Sequence, residues 1–392
     1  MRSIKKGIHI LLLPSWYIPE GGQFCRNQAK MLCDKELKVS ILANVQLSFR
    51  KYKFKIFQFP WRSFTCNEDG LLVFRYFWRS IPFFNKINGI LWSWQTFYLF
   101  NKYCKEHGTP DIIHVHSVLW GGYAAYLIHR RTGIPYVITE HKGIFGLSCE
   151  YAKKQFEDWQ TPYMEKAFSN AEVIIPVSKN QIPKIQTYLN KNVLIQSISN
   201  VVDTDFFHFK ERNVEDEIKF VAVNGFMHVK AYDILLPAFD NACDKISTIK
   251  LRIVGEDFEG EEFNNLWNVV RNKDKISFAG ELDMYGVREE LWNANVFIIS
   301  SRIESQSVST LEALSTGLPI VCTTVIPEGM ANELNSIVVP VEDIEALSFA
   351  IIEMSEKFKS FNGFSISKQI KESSGKEVVA KKLIDLYSNI KV

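Results

Sequence analysis

Two carboxylates, Glu304 and Glu312, stand in the run SSRIESQSVSTLEALSTGLPIV, which follows the apolar segment Val296 to Ile299. The apolar segment predicts a strand ending at Ser300. The small polar residues after it predict a loop, and Val308 to Ser315 a helix that stops at Gly317 and Pro319. A helix that starts after a parallel strand aims its unpaired N–H groups at the carboxyl edge of the sheet, here those of Gln306, Ser307, Val308 and Ser309. With the positive end of the helix dipole they make a site for a diphosphate. Glu304 lies in the loop and Glu312 about one turn inside the helix, so one can face a sugar and the other a nucleoside. A carboxylate accepts from both hydroxyls of a ribose, which suits Glu312. The competing reading is that both are solvated charges flanking a helix start.

Other residues could join this chemistry. Lys230 follows a turn and reads either as a surface lysine or as the cation that a departing diphosphate needs. His116 ends the run Ile112 to Val115, and a histidine leaving a parallel strand can bind a sugar hydroxyl. His114 points the same way but deeper, and takes a core role. Glu140 and His141 follow the run Tyr136 to Thr139 and read as acceptor-side or structural in equal measure. Gly21 and Gly22 precede the helical run Phe24 to Leu32, where they either let the backbone approach a phosphate or acceptor closely or form an ordinary turn.

The elements that must position these residues follow from the apolar pattern. Short apolar runs recur at Ile8 to Leu13, Val39 to Ala43, Ile112 to Val115, Tyr136 to Thr139, Val173 to Val177 and Val193 to Ile198. A second series comprises Phe220 to Val223, Leu251 to Val254, Ile276 to Ala279, Val296 to Ile299, Ile320 to Cys322 and Ile337 to Val339. Strands that are apolar throughout and alternate with helices indicate parallel sheets covered on both faces. Two doubly wound α/β domains result, 1–204 and 205–375, separated where the polar stretch Asp205 to Lys219 begins. Val379, Leu383, Leu386 and Tyr387 then give 376–392 the pattern of an amphipathic helix, expected to pack back toward the first domain.

Bulk properties narrow the class. At 392 residues and 46% apolar content the chain can build more than one core. Its 46 basic and 44 acidic residues leave a formal charge of +2, which argues against nucleic acid as a partner. Seven scattered cysteines suggest neither a disulfide framework nor a zinc site, and fit reduced thiols in the cytoplasm. The first apolar run is too short for a secretory signal, and no stretch approaches the roughly 20 apolar residues of a bilayer span. Neither G-x-G-x-x-G after the first strand nor a P-loop is present, which lowers ordinary dinucleotide and P-loop readings.

Between Phe49 and Glu106 the chain holds 11 Phe, 4 Tyr and 4 Trp, with 10 basic but only 3 acidic residues. Cations mixed with large aromatics suit the headgroup region of an anionic membrane, so 49–106 is expected either to make peripheral membrane contact or to supply core aromatics.

In order along the chain, LLLPSWYIPEGGQF (11–24), PDIIHVHS (110–117), YVITEH (136–141), AEVIIPVSK (171–179), ISNVVDTDFF (198–207), VNGFMHVKAYDILLPAF (223–239), LRIVGE (251–256), E-x7-E with ALSTGLPIV, and VPVEDIEAL (339–347) closely resemble the family 4 retaining glycosyltransferases. The resemblance covers essentially the whole chain. It implies the GT-B fold, two Rossmann-like domains facing a cleft, with the acceptor on the first and the nucleotide sugar on the second. Position by position, it implies that Glu312 holds the donor ribose, that Glu304 contacts the transferred sugar, that Lys230 binds the donor phosphate and that His116 touches the donor sugar. The slot where the family usually carries an arginine beside the phosphate is Gly225, and Ala231 replaces the glycine that normally follows the lysine. Arg302 or His228 could supply the missing cation.

What the resemblance further implies is a UDP- or GDP-sugar donor and a lipid-linked or growing glycan acceptor in bacterial surface polysaccharide synthesis; no D-x-D-like ligand set stands near the site, so no metal or other cofactor is expected. It places the chain in the cytoplasm or on the inner face of the membrane. Two alternatives are a sugar-nucleotide epimerase of the same fold and a catalytically inactive partner subunit.

Overall fold

The computed structural model describes all residues except 1–6, 36, 83, 148, 152–155, 213–215 and 392. The chain divides into two units, each built on its own sheet.

In the first unit the order is β1 (His9–Pro14), α1 (Gln23–Cys33), β2 (Lys38–Leu47), α2 (Phe49–Tyr52), β3 (Phe64–Glu68), β4 (Leu71–Arg79), α3 (Asn85–His107), β5 (Ile112–His116), α4 (Tyr123–Thr132), β6 (Tyr136–Glu140), α5 (Thr161–Ser169), β7 (Val173–Pro176), α6 (Ile182–Gln186) and β8 (Leu194–Ile195). The sheet runs β3-β4-β2-β1-β5-β6-β7-β8, parallel except for the β3–β4 hairpin at its edge. Every residue of β1, β5, β6 and β7 is buried, as strands covered on both faces must be. The run Val193 to Ile198 shrinks to the two-residue β8, because it lies at the sheet edge and Leu194 is 61% exposed. The apolar pattern does not reveal the hairpin. In LLVFRYFWR nearly every residue is large and apolar, so the period-two signal of a strand is lost even though β4 pairs with β2 from Ser40↔Leu72 to Leu47↔Arg79.

In the second unit the order is β9 (Ile218–Val223), α7 (Tyr232–Cys243), β10 (Ile249–Val254), α8 (Gly260–Val269), β11 (Ile276–Gly280), α9 (Met284–Asn293), β12 (Val296–Ile299), α10 (Val308–Ser315), β13 (Ile320–Thr323), β14 (Ser336–Val339), α11 (Ile344–Lys357) and α12 (Gly363–Ser374), followed by α13 (Lys376–Ser388). The all-parallel sheet has the order β11-β10-β9-β12-β13-β14, the doubly wound arrangement in which the strand order reverses between β9 and β12. Loops leaving the carboxyl ends of those two strands diverge, and ligands of such sheets settle in that gap.

The two units interleave along the chain in two places. Residues from Val379 onward belong to the first unit, where Val379, Leu383, Leu386 and Tyr387 of α13 share a core with Ile10, Leu12 and Leu32. Truncating a buried leucine such as Leu383 to alanine costs about 2–5 kcal/mol. Residues Gly143–Gln155, expected in the first domain, belong to the second unit. Close glycine contacts explain this: a Cβ on Gly143 would lie 2.8 Å from Ile303 Cγ2, and one on Gly146 2.8 Å from the Glu304 carbonyl.

Candidate active site

Glu304 and Lys230 project from the loops that follow β12 and β9, at the switch point of the second sheet. Their side chains are ion-paired and mostly shielded, 10% and 16% exposed. Ser301 Oγ donates to the same carboxylate oxygen at 2.9 Å. The helix start lies where the sequence predicts it. Ser307 caps α10, its Oγ accepting from Thr310 N at 3.2 Å, while the N–H groups of Ser307, Val308 and Ser309 have no acceptor among the described residues. Gln306, immediately before the cap, is half-buried. These amides and the ammonium of Lys230 are the groups that can hold a diphosphate.

Glu312 lies on α10 with its side chain half-buried and no hydrogen bond or ion pair among the described residues. Burial alone pushes its carboxyl up to about 8. An unpaired carboxylate at that depth is unstable without donors, and a pair of ribose hydroxyls would supply them.

Of the two cations left open by sequence, Arg302 is engaged within the protein. The carbonyls of three consecutive residues in the lysine turn accept from the glutamate loop: His228 O from Arg302 Nη1 at 2.6 Å, Val229 O from Arg302 N at 2.9 Å, and Lys230 O from Ser300 Oγ at 2.8 Å. The rest of the Arg302 guanidinium is spent on Asp233, at 2.9 and 2.6 Å, and on both carboxylate oxygens of Glu342. All five of its N–H groups are used, so Arg302 is no phosphate ligand in this arrangement. It fixes the turn that carries Lys230.

The departures from the family pattern also have local causes. Gly225 abuts Glu256, whose carbonyl would be 3.1 Å from an added Cβ, and Phe226 N donates to that same carbonyl at 2.9 Å. An arginine in this slot must first displace backbone. Ala231 adopts the left-handed conformation, φ 53° and ψ 49°, which explains why glycine suits the position; alanine there costs about 1 kcal/mol.

Sequence reasoning missed the Gly143–Gly146 turn. It packs against the Ile303 side chain and the backbone of Glu304 and Ser305, and Gly146 N closes it by donating to Gly143 O at 2.7 Å. The paired glycines in HKGIFG were its only signal.

In the first unit, β1 and β5 form the equivalent switch point, and His116 ends β5. The ring is 1% exposed and stacks between His114 and His141 at 4.9 and 5.1 Å. Its Nδ1 lies 2.9 Å from His141 Nε2, and its Nε2 has no partner among the described residues. Burial pulls His116 down to about 3 and His141 well below the usual imidazole range, so both are neutral. His114 fills the core role expected of it, bonded to Thr139 Oγ1 at 2.7 Å and Tyr387 Oη at 2.5 Å. Glu140 is fully buried and its oxygens accept from Ser117 Oγ, Val118 N, His141 N and Lys142 N at 2.8–3.0 Å. That geometry braces two loops and leaves little capacity for an acceptor. Gly22 caps α1 at φ 85°, and an added Cβ would lie 2.5 Å from the Trp16 carbonyl, so only glycine fits. Lys142, not singled out from sequence, sets its ammonium 5.5 Å from the Trp16 ring and 5.6 Å from that of Phe156.

Among the described residues no helix is long and apolar enough to cross a membrane, and no group of three or more His, Cys, Asp or Glu side chains is placed to hold a metal ion.

Solved structures share this architecture. Sucrose-phosphate synthase from Thermosynechococcus elongatus superimposes with a TM-score of 0.78 over 98% of each chain at 16% identity. Anabaena HepE in complex with UDP gives 0.73 over 98% of this chain and 100% of that chain at 13% identity. The fold is therefore GT-B. Residues 46–206 match the family described as Glycosyltransferase Family 4, and residues 217–357 the one described as Glycosyl transferases group 1. The GPI3 subunit of phosphatidylinositol N-acetylglucosaminyltransferase from Saccharomyces cerevisiae is 23% identical over 298 residues, 71% of this chain and 63% of that protein. Bacillus subtilis TuaC, named for teichuronic acid biosynthesis, is 23% identical over 274 residues, 66% of this chain and 64% of its own length. The chain spans from about half to just under two thirds of the length of the curated relatives it matches. It belongs to the family 4 glycosyltransferases.

Proposed function

We propose that the second unit binds a nucleoside diphosphate sugar and transfers its sugar, with retention of configuration, to a glycan or lipid-linked acceptor. The observation that carries this reading is the placement of Lys230, Glu304 and the capped start of α10 at one switch point, with the unpartnered Glu312 carboxylate on the same helix. In this reading the diphosphate lies on the N–H groups of Ser307, Val308 and Ser309 and on Lys230, and the ribose hydroxyls on Glu312. As the bond from the anomeric carbon to the phosphate oxygen breaks, charge grows on the departing diphosphate where these donors are already aimed. The acceptor hydroxyl oxygen bonds to the same carbon on the face the diphosphate leaves, beside Glu304, while its O–H bond breaks and the proton passes to the departing phosphate oxygen. The unpartnered Nε2 of His116 is the atom in the first unit best suited to a sugar hydroxyl, and no metal or other cofactor is assigned a step.

The UDP in the Anabaena HepE structure supports testing uridine donors first, with GDP-sugars beside them. The name of TuaC supports a bacterial surface polymer as the acceptor's destination. A panel of UDP- and GDP-sugars read by thermal shift, then by turnover, tests the proposal. One donor should raise Tm by several degrees at about 100 times its Kd, equivalent to about 2.7 kcal/mol. Binding without turnover for any donor and acceptor would favour the inactive partner subunit, and release of an isomerised nucleotide sugar the epimerase.

A further inference from the structure

Exposed apolar surface is concentrated in one stretch of the first unit. Among the described residues, ten of the twenty exposed large hydrophobic side chains fall between Phe49 and Tyr98. One group lies beyond β2, where Phe49, Phe54, Phe57 and Trp61 are 40, 79, 55 and 60% exposed. Phe57 and Trp61 stack at 6.2 Å and Phe49 meets Phe54 edge-on at 6.2 Å, so these rings form a cluster in water. The second group is a stripe on α3, with Ile87, Leu91, Trp94 and Tyr98 at helical spacing. The opposite side of α3 is already committed to the core through Trp92, Leu99, Phe100 and Tyr103. Packing within the unit gives no reason for a second apolar side.

Both groups leave the same end of the sheet. Leu47 of β2 is in register with Arg79 of β4, and Ser80 N donates to Leu47 O at 3.2 Å. The charges around them are one-sided. Glu68, Asp69 and Glu106 are the only acids from 49 to 106, and each is ion-paired: Glu68 with Arg75, Asp69 with Arg26 and Lys30, Glu106 with Lys102. Exposed Lys53, Lys55, Arg62 and Lys86 form no ion pair among the described residues.

We infer that this face docks on an anionic lipid bilayer, with the rings of Phe54, Phe57, Trp61 and Trp94 at headgroup depth and Lys53, Lys55 and Arg62 on the lipid phosphates. The pairing of interfacial aromatics with uncompensated cations fits that surface. A second copy meeting the same face would set these cations against each other, which disfavours a symmetric dimer. The inference stands apart from the identity of the donor.

The test is vesicle flotation of the full chain with phosphatidylcholine alone and with phosphatidylcholine plus phosphatidylglycerol. The protein should float with the anionic vesicles, weakly with neutral ones, and less as salt rises. Phe54→Ser/Phe57→Ser/Trp61→Ser and Lys53→Glu/Lys55→Glu/Arg62→Glu should each lower partitioning by at least about tenfold, since one buried ring or two paired cations contribute that much. Both variants should keep wild-type Tm and wild-type binding of UDP or GDP, because all six substituted side chains are exposed. No flotation with anionic vesicles, or flotation that neither variant weakens, overturns the inference. So does a stable dimer that the same substitutions dissociate.

Discussion

Lys230 and Glu304, 74 residues apart, form an ion pair at the switch point of the second sheet, and Ser301 Oγ steadies the shared oxygen at 2.9 Å. Without a nucleotide the lysine is thus already neutralised. A diphosphate must compete with Glu304 for it, and this separates the two residues experimentally. Lys230→Ala should weaken UDP or GDP binding by about 10- to 100-fold, the scale of a charge-assisted hydrogen bond. Glu304→Gln frees the lysine and should bind the nucleotide as tightly as wild type or more so. Calorimetric titration of both variants checks this, and weaker binding by Glu304→Gln would contradict it.

Glu312 links the site to pH. Its folded-state carboxyl is raised to about 8 by burial, against 4.5 in the unfolded chain, so the folded state holds a proton that the unfolded state releases between those values. Stability contributed by this group is therefore present below about 4.5 and lost as pH rises toward 8. Glu312→Gln should flatten that loss, gaining on the order of 1–3 kcal/mol over wild type at pH 8 and little at pH 5, the full shift being reduced by residual solvent contact. Urea unfolding at the two pH values measures it. A ribose donating to the ionised form should also release a proton on binding near pH 7, visible as a buffer-dependent heat that Glu312→Gln abolishes.

Arg302 holds the turn that carries Lys230. Arg302→Lys keeps the charge but cannot serve His228 O, Asp233 and Glu342 together. Loss of stability of about 1–3 kcal/mol is expected, with nucleotide affinity falling in parallel although the side chain has no free donor for phosphate. Unchanged affinity in the folded variant would show that the lysine turn holds its place unaided.

Gly146→Ala puts a Cβ 2.8 Å from the Glu304 carbonyl, backbone that has to shift. Transfer should fall about 10- to 100-fold while Tm changes little, because a misplaced group costs rate far more than stability. Gly225→Arg, which restores the usual family residue, should destabilise by about 1–3 kcal/mol by crowding Glu256, and should not tighten nucleotide binding.

The sequence carried the sheet centres and the site loop because both signals are local. Val296–Ile299 and Val308–Ser315 appear at the predicted residues, since an uninterrupted apolar run, a serine cap and the Gly317–Pro319 stop each act over a few positions. What stayed hidden depends on distant partners. Nothing near Arg302 in the chain reveals that Asp233 and Glu342 will surround it. Nor does YVITEHKG show that its glycine will pack on the Glu304 loop. Between 49 and 106 the aromatics mask the β4 pattern, because a residue type equally at home in a core and at a lipid surface does not say which side it faces.

The central claim is that Glu304 stands at the reacting sugar while Lys230 and α10 hold the nucleotide. Its most direct test is donor-sugar turnover by Glu304→Ala, with folding and UDP or GDP affinity measured on the same sample. The predicted result is turnover lowered by at least about a thousandfold, roughly 4 kcal/mol, with the nucleotide still bound. Wild-type turnover in the folded variant would contradict the account.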